Sequence, residues 1–568
     1  MRKGVKQTAF EGDVKRAVAG AARRGVMLAF EDFYYPPIPE AKVKVGSRWT
    51  RFYITEGEWR VHLEVSVEDV PFLDYDDLTR FFRSVCRHEV AHYTVCPYDV
   101  ATSTLLVSRA ARAVEPRHAP FVVNFFTDLI VDTYLFERYP EEALWTERVI
   151  VDHVHRKFGG GSKVWKLFVR SYEKVWGKRI LTGVKVEVPR DVEEAATRIS
   201  RVLKRGGVMD EKAWPGKVEK LAKILKPFLE EEMGENPPKG VRGTLVKAPD
   251  GGRVFLPDDV AHTMRGNPVD APMRVRGRRM EEGEKAARRF AEEGGRLEEF
   301  LEASRIAGLS SSRRKALRAW YRGKANLKVD VRVRSRRRGG LPVYPDVWRL
   351  EDPIDELDVP LSLQAFPRLI PNVTTKKWVR FSGEGGEGER SPPDMLIVLD
   401  SSGSMGGVAE GTPFDLALTA AFAALKFAVS RCCKVAAVNF SDRTLTCEWT
   451  RSRVQVEDVL LRYQGGGTVL PVNEISSIVR RNSCEVLVLV ITDAEIANWG
   501  EAVKELEKLI VAGHHVAMFF IGGGMGGRKE ERYRRFLSAG GRIYPIPNVK
   551  NLPEIVIGEV GKHYHQGW

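Results

Sequence analysis

Cysteine is scarce in this chain, six in 568 residues, with Cys432 and Cys433 adjacent and the others scattered. Such spacing makes no disulfide framework and no CxxC pair, so a reducing interior is the simpler expectation. Glutamine is rarer still, five in all, against abundant Arg, Glu and Val, a balance shared with heat-adapted proteins. Long hydrophobic runs are missing as well. The first twenty residues, MRKGVKQTAFEGDVKRAVAG, hold no continuous apolar core of signal-peptide type. The longest apolar helical stretch, Leu416 to Val429, is interrupted by Lys426 and falls short of a bilayer span. A cytoplasmic location is the resulting expectation. Neither a nucleophile elbow nor a Walker loop occurs. The Gly-rich stretch Gly522 to Gly527 follows a strand but lacks the Lys-Ser/Thr that grips phosphates, which argues against nucleotide binding.

What is present is charge and length. A chain of this size exceeds one hydrophobic core and predicts two or three domains, while 43% hydrophobic residues is a globular composition. The formal charge of +14 points to acidic partners: nucleic acid, an anionic surface or an acidic protein. Residues 1 to 30 read as a basic helix, and Pro36, Pro37 and Pro39 mark a break. From Trp59 to Val67 apolar and polar residues alternate, as in a strand with one exposed face. Asp74 and Asp76 stand where helix caps belong, and a helix is expected from Leu78 onward.

That helix carries His88-Glu89-Val90-Ala91-His92. Histidines four apart project from one helix face about a turn from each other, which suits two ligands of one tetrahedral zinc. Glu89, beside the first of them, is then placed to act as general base toward a water on the metal. Downstream, the helix expected over Pro120 to Phe136 brings Asn124, Asp128 and Asp132 to one face otherwise made of Phe, Val, Leu and Ile. Carboxylates on an apolar face are costly unless paired or bound to a cation. Cys86 and Cys96 flank the His motif ten residues apart and read as core rather than as ligands.

The middle of the chain is charged. Val192 to Arg205 and Ala213 to Met233 read as helices, 234 to 275 as a linker with one hairpin, and Met280 to Ala303 as a solvated amphipathic helix. Arg313 to Arg338 is strongly basic and contains Trp320 and Tyr321, a composition that can hold single-stranded nucleic acid. Alternation of Val329, Val331 and Val333 with Asp330, Arg332 and Arg334 instead favours a charged edge strand and a structural or protein-docking role over nucleic acid. An acidic stretch from Glu351 to Asp358 and a Gly/Glu linker, Ser382 to Glu389, follow.

The last third is organised around Asp394 to Met405, DMLIVLDSSGSM. Five apolar residues, Met395 to Leu399, predict a strand buried on both faces. Asp400, Ser402 and Ser404 follow at every second position, and a turn at Gly403 folds them toward one point. A carboxylate with two hydroxyls is a partial cage for a hard divalent cation. Beyond it, Gln464-Gly465-Gly466-Gly467-Thr468 delivers a hydroxyl from a Gly-rich loop, and the apolar strand Val486 to Ile491 leads through Thr492 to Asp493. Strands and helices alternate to the end of the chain, which predicts an α/β, Rossmann-like, mostly parallel sheet with its ligand edge at the strand carboxyl ends.

The Asp-x-Ser-x-Ser stretch with the later Thr468 and Asp493 resembles the von Willebrand factor A (VWA) domain, over roughly residues 390 to 568. The resemblance implies a metal-ion-dependent adhesion site (MIDAS) formed by Asp400, Ser402, Ser404, Thr468 and Asp493 around Mg2+ or Mn2+, with one position left for an acidic side chain of a protein partner. The strand, HExxH helix and second helix of the N-terminal segment are similar to those of zincin metallopeptidases, mainly helical α+β domains. That likeness implies His88 and His92 as Zn2+ ligands, Glu89 as catalytic base, Asp128 as third ligand and Asp132 orienting a ligand histidine, where the family more often uses a Glu as third ligand. His118 is the alternative third ligand. Tyr93, Tyr98, His153 and His155 are all candidates to stabilise an oxyanion, and the sequence does not choose among them. The likeness to intracellular VWA proteins implies a MoxR-type AAA+ ATPase as partner. The expected organisation is a zincin-like domain over 1–185, a charged helical and basic region over 186–345, a connector over 346–389 and the VWA domain over 390–568.

Overall fold

The helix that bears the HExxH motif begins at a side-chain cap, where Asp74 accepts hydrogen bonds from the backbone N–H groups of Asp76 and Asp77. The computed structural model describes residues 2–564 except 48–49, 71–73, 183–185, 237–238, 265–266, 271–278, 311, 329–340, 351, 353, 382–391, 494–495 and 523–527. Two compact units divide the chain, residues 1–324 and 325–568. The Val329 to Val333 alternation, Arg336 to Arg338, the Gly/Glu linker and most of the Gly522 to Gly527 stretch lie outside the described residues.

The first unit runs α1 (Arg2–Asp32), β1 (Lys42–Val45), β2 (Arg51–Thr55), β3 (Arg60–Val65), α2 (Tyr75–Thr94), α3 (Val100–Ala111), α4 (Ala119–Arg138), α5 (Pro140–Phe158) and α6 (Lys163–Trp176). It continues with α7 (Arg190–Lys204), α8 (Trp214–Glu232), the hairpin β4 (Gly243–Lys247) and β5 (Arg253–Pro257), α9 (Asp258–Thr263), α10 (Arg279–Glu292), α11 (Leu297–Ile306) and α12 (Arg313–Lys328), inside which the boundary falls. Its three-stranded sheet has the order β1-β3-β2, leaving β2 at an edge. At Gly25 α1 lies directly on α2: a Cβ there would sit 2.7 Å from the Arg83 backbone nitrogen and 2.8 Å from Phe82 Cβ. Arg83 and Arg87 of α2 both bind Asp32 at the end of α1, so the helix behind the motif is held at two points.

The region expected as a separate charged segment from residue 186 is part of this core. Val192, Ala196, Ile199 and Leu203 of α7, and Val218, Leu221, Leu225 and Leu229 of α8, are buried in the same hydrophobic cluster as Phe82, Phe126 and Trp165. The charges occupy the other faces of these helices and mask a continuous apolar stripe. The single helix expected over Met280 to Ala303 is two. Gly294 takes a positive φ of 69° and Gly295 leaves no room for a Cβ, with the Phe290 carbonyl 2.9 Å away, so the chain breaks there.

The second unit opens with an antiparallel pair, β6 (Leu341–Val347) and β7 (Lys376–Phe381), flanking α13 (Val359–Ala365). Then come β8 (Asp394–Asp400), α14 (Pro413–Ser430), β9 (Val435–Phe440), β10 (Thr444–Thr450), α15 (Arg453–Leu460), α16 (Val472–Arg480), β11 (Val486–Thr492), α17 (Trp499–Val511), β12 (His515–Ile521), α18 (Arg528–Ser538), β13 (Arg542–Ile546) and α19 (Leu552–Tyr564). Six strands form one sheet in the order β10-β9-β8-β11-β12-β13, parallel except for β10. From β8 the chain moves to β9 on one side, and it later returns to place β11 on the other. That reversal opens a crevice at the carboxyl ends of β8 and β11, where α/β sheets bind ligands. Every residue of both strands is buried. α4 and α14 are long and apolar enough to cross a membrane by length and composition, α14 being longer than the stretch read from sequence; 89% and 72% of their apolar windows are buried inside the protein.

Two helix glycines should respond in opposite directions. Gly25→Leu should lower the urea midpoint by the equivalent of about 1–3 kcal/mol, because it drives α1 off α2. Gly20→Ala, whose Cβ meets nothing closer than 3.5 Å, should raise it by roughly 0.5–1 kcal/mol. Equal effects would show that α1 does not pack this way.

Candidate functional site

In the first unit, α2 and α4 bring His88, His92 and Asp128 together, all buried, with one ligand-type atom of each within 4.8 Å of the others. The edges of that triangle are 3.2 Å between the two Nε2 atoms, 3.4 Å from His92 Nε2 to Asp128 Oδ1 and 3.7 Å from His88 Nε2 to the same oxygen. Three donors about 2.05 Å from one zinc at tetrahedral angles are about 3.3 Å apart, so these residues fit the ion.

The outer bonds decide what the triangle presents. His92 Nδ1 faces the Cys96 carbonyl at 2.9 Å, an atom that only accepts, so this nitrogen carries the proton. His88 Nδ1 faces Asp132 Oδ1 at 2.6 Å. The other Asp132 oxygen accepts from the Tyr172 hydroxyl at 2.7 Å, and burial, then the Asp132 charge, push that phenol well above its ordinary pKa and keep it a donor. Both rings therefore direct an Nε2 lone pair at the Asp128 carboxylate. Asn124 donates to Asp128 Oδ2 at 2.9 Å, which leaves Oδ1 to face the histidines. Two ring nitrogens and a carboxylate oxygen thus converge, a donor set that a divalent cation can hold together.

A pocket opens on this triangle, lined by Phe52, Ile54, Glu56, Glu89, Val123 and Met264 among others. Glu89, 3% exposed, thus shares it with both histidines. His118 is elsewhere: it lies within 3.3 Å of the Met233 carbonyl, and burial lowers its pKa. Cys86 and Cys96 are buried thiols whose pKa burial raises, and only the Cys96 backbone serves the cluster. None of Tyr93, Tyr98, His153 and His155 lines the pocket. Tyr98 bonds Glu211, and Tyr93 packs against Trp59.

In the second unit, the crevice between β8 and β11 gathers four of the five expected residues. The Ser402 and Ser404 hydroxyls are 3.2 Å apart, and Ser404 donates to Asp493 Oδ1 at 3.0 Å. Neighbouring oxygens around an octahedral Mg2+ are about 2.9 Å apart, so this spacing fits a small hard cation. Asp400, fully buried, accepts from the Ser402 N–H at 2.8 Å and the Thr492 hydroxyl at 2.5 Å. Burial raises the pKa of both Asp400 and Asp493 above the ordinary carboxylate value. The loop that precedes Thr468 is tied to the turn after β8: Gly465 N–H donates to the Ser401 carbonyl at 2.8 Å and Gly403 N–H to the Gly466 carbonyl at 2.9 Å. The Thr468 backbone carbonyl accepts from Ala497, and among the described residues its hydroxyl makes no hydrogen bond to the other four.

Sequence reasoning missed Tyr172, Asn124 as a carboxylate clamp, and the buried Asn439, which accepts from Ser401 and Gln464 and so ties both loops to β9. Their only sequence signal is polarity among apolar neighbours. No protein-family model matches the chain, and no curated protein matches it. Among solved structures it is similar to a von Willebrand factor type A protein from Catenulispora acidiphila, at 17% identity and a TM-score of 0.25, over 31% of this chain and 43% of that one. It is also similar to the pilus adhesin SpaC from Lactobacillus rhamnosus GG in its open conformation, at 12% identity and a TM-score of 0.25, over 31% of this chain and 30% of that one. The chain therefore spans less than half the length of either.

Metal analysis of purified protein equilibrated with zinc should find one tightly held ion. His88→Ala, His92→Ala and Asp128→Ala should each abolish it, and Tyr172→Phe should weaken affinity about tenfold through Asp132. Full retention of zinc in Asp128→Ala would remove Asp128 from the ligand set.

Proposed function

We propose that this protein carries two metals with separate tasks: a Zn2+-dependent peptide hydrolase centre in the first unit and a Mg2+- or Mn2+-dependent protein-gripping rim in the second. The convergence of His88 Nε2, His92 Nε2 and Asp128 Oδ1 beside a pocket that also holds Glu89 is the observation that carries it. Structural zinc is enclosed by four protein ligands, whereas three protein atoms and a pocket leave room for water and substrate. Zinc, when bound, acidifies a water and polarises a carbonyl. Glu89, in the same pocket, would be the base: its carboxylate would take up a proton from a water so activated and hand it to the leaving amine. Asp132 and Tyr172 hold the His88 ring, and the Cys96 carbonyl holds the His92 ring, so neither reorients during the reaction. The edge strand β2, whose Phe52 and Ile54 line the pocket, pairs only with β3 among the described strands, and an extended peptide can add to such an edge.

At the rim, Asp400, Ser402, Ser404, Thr468 and Asp493 supply oxygen donors, and a partner's Asp or Glu completes the coordination. An AAA+ ATPase of the MoxR type is the partner we favour, with the chain as its adaptor in protein or cofactor maturation in the cytoplasm. The likeness to intracellular VWA proteins, rather than any residue, supports that choice.

With zinc loaded, cleavage of denatured casein should fall at least about hundredfold in Glu89→Gln at unchanged zinc content. Equal rates in both proteins would remove the hydrolase and leave a scaffold with a structural ion.

A further inference from the structure

The rim draws its threonine from a loop of three consecutive glycines, Gly465 to Gly467, the most freely jointed backbone a chain can offer. Fixing Thr468 at a metal therefore requires holds from outside the loop. Backbone supplies several: the bonds to Ser401 and Gly403 already described, Ala497 N–H to the Thr468 carbonyl, and Val469 N–H to the Ser441 carbonyl at 3.4 Å. Gln464 adds its tie to Asn439. The hold on the peptide just before Thr468 is another side chain. Asp442, two residues beyond the end of β9, accepts the Gly467 N–H on Oδ1 at 2.7 Å.

The loop is shaped around that carboxylate. A Cβ at Gly466 would lie 2.3 Å from Asp442 Oδ2, and one at Gly467 would lie 2.7 Å from Oδ1. Gly466 also needs its own freedom, with φ at +87°, but Gly467 does not adopt the left-handed region. Space for Asp442 is the reason visible for glycine at 467. The carboxylate is exposed, so burial does not force it into this bond.

We propose that Asp442 is a positioning residue for the rim: it locks the peptide preceding Thr468 and thereby sets divalent-cation affinity without being a ligand. The proposal rests on the reading of the rim as a divalent-cation site. Asp442 acts through one hydrogen bond to backbone, so its amide analogue can replace it, since an Asn oxygen accepts the same bond.

The test is Mn2+ binding by full-length protein whose N-terminal cluster is saturated with Zn2+, followed by the electron paramagnetic resonance of free Mn2+. Asp400→Ala supplies the background. Asp442→Ala should weaken Mn2+ about tenfold, as loss of a group that orients metal ligands does, while Asp442→Asn stays within about threefold of the wild type. Gly467→Ala should weaken binding in the wild-type background and add nothing in Asp442→Ala. Thermal unfolding identifies any variant that fails to fold. Wild-type affinity in Asp442→Ala would overturn the proposal, as would equal losses in the Ala and Asn variants, which would assign the effect to charge. Undiminished Mn2+ binding in Asp400→Ala would instead overturn the underlying reading of the rim.

Discussion

Two buried imidazoles and a buried carboxylate aimed at one point are the constraint around which the first unit's site is built. Two imidazoles and a carboxylate meet at separations of 3.2 to 3.7 Å. They meet because their outer atoms are already committed to Asp132, the Cys96 carbonyl and Asn124. Such a cluster is unfavourable on its own in a medium of low dielectric. Helices α2 and α4 hold it in place through the apolar packing around Phe82, Phe126 and Trp165, which is unrelated to the polar chemistry. Packing energy thus maintains a geometry that the polar groups would not choose by themselves.

The second unit solves a similar problem with softer means. Its oxygen donors are hydroxyls and carboxylates that satisfy one another: Ser404 donates a hydrogen bond to Asp493, and Thr492 to Asp400. Here the donors come from loops at strand ends rather than from helix faces, and backbone bonds between the Ser401–Gly403 and Gly465–Gly466 segments bring the loops into contact. The first cluster is set by rigid elements, the second by stitched ones.

Legibility in the sequence followed from whether a group belongs to a pattern within one element. Patterns contained in one element were readable: the i, i+4 histidines, the Asp128 and Asp132 pair on an apolar face, and the every-second-residue oxygens after β8. From β8 onward the alternation of strands and helices was anticipated, except α15, whose apolar positions are too few to register as a period; β6, α13 and β7 were not, because the stretch from 346 to 389 was read as a connector from its acidic and Gly-rich composition. Groups that act on another element, or through backbone alone, were not readable. Tyr172 looks like any buried aromatic, and Asp442 like any polar residue after a strand. The Cys96 backbone carbonyl has no side-chain signal at all. The middle region was misjudged because net charge was weighed above the spacing of Val192, Ala196, Ile199 and Leu203, and the α10–α11 break because Gly294-Gly295 was read through rather than as a stop.

The crevice of the second unit arises from chain order, since β9 and β11 leave β8 in opposite directions. No side chain creates it, and none can close it without rebuilding the sheet. The gap is thus a fixed socket bordered by replaceable edges. Natural variation can rewrite the segment between Gly406 and Thr412 and acquire a new binding specificity while the strands beneath stay as they are.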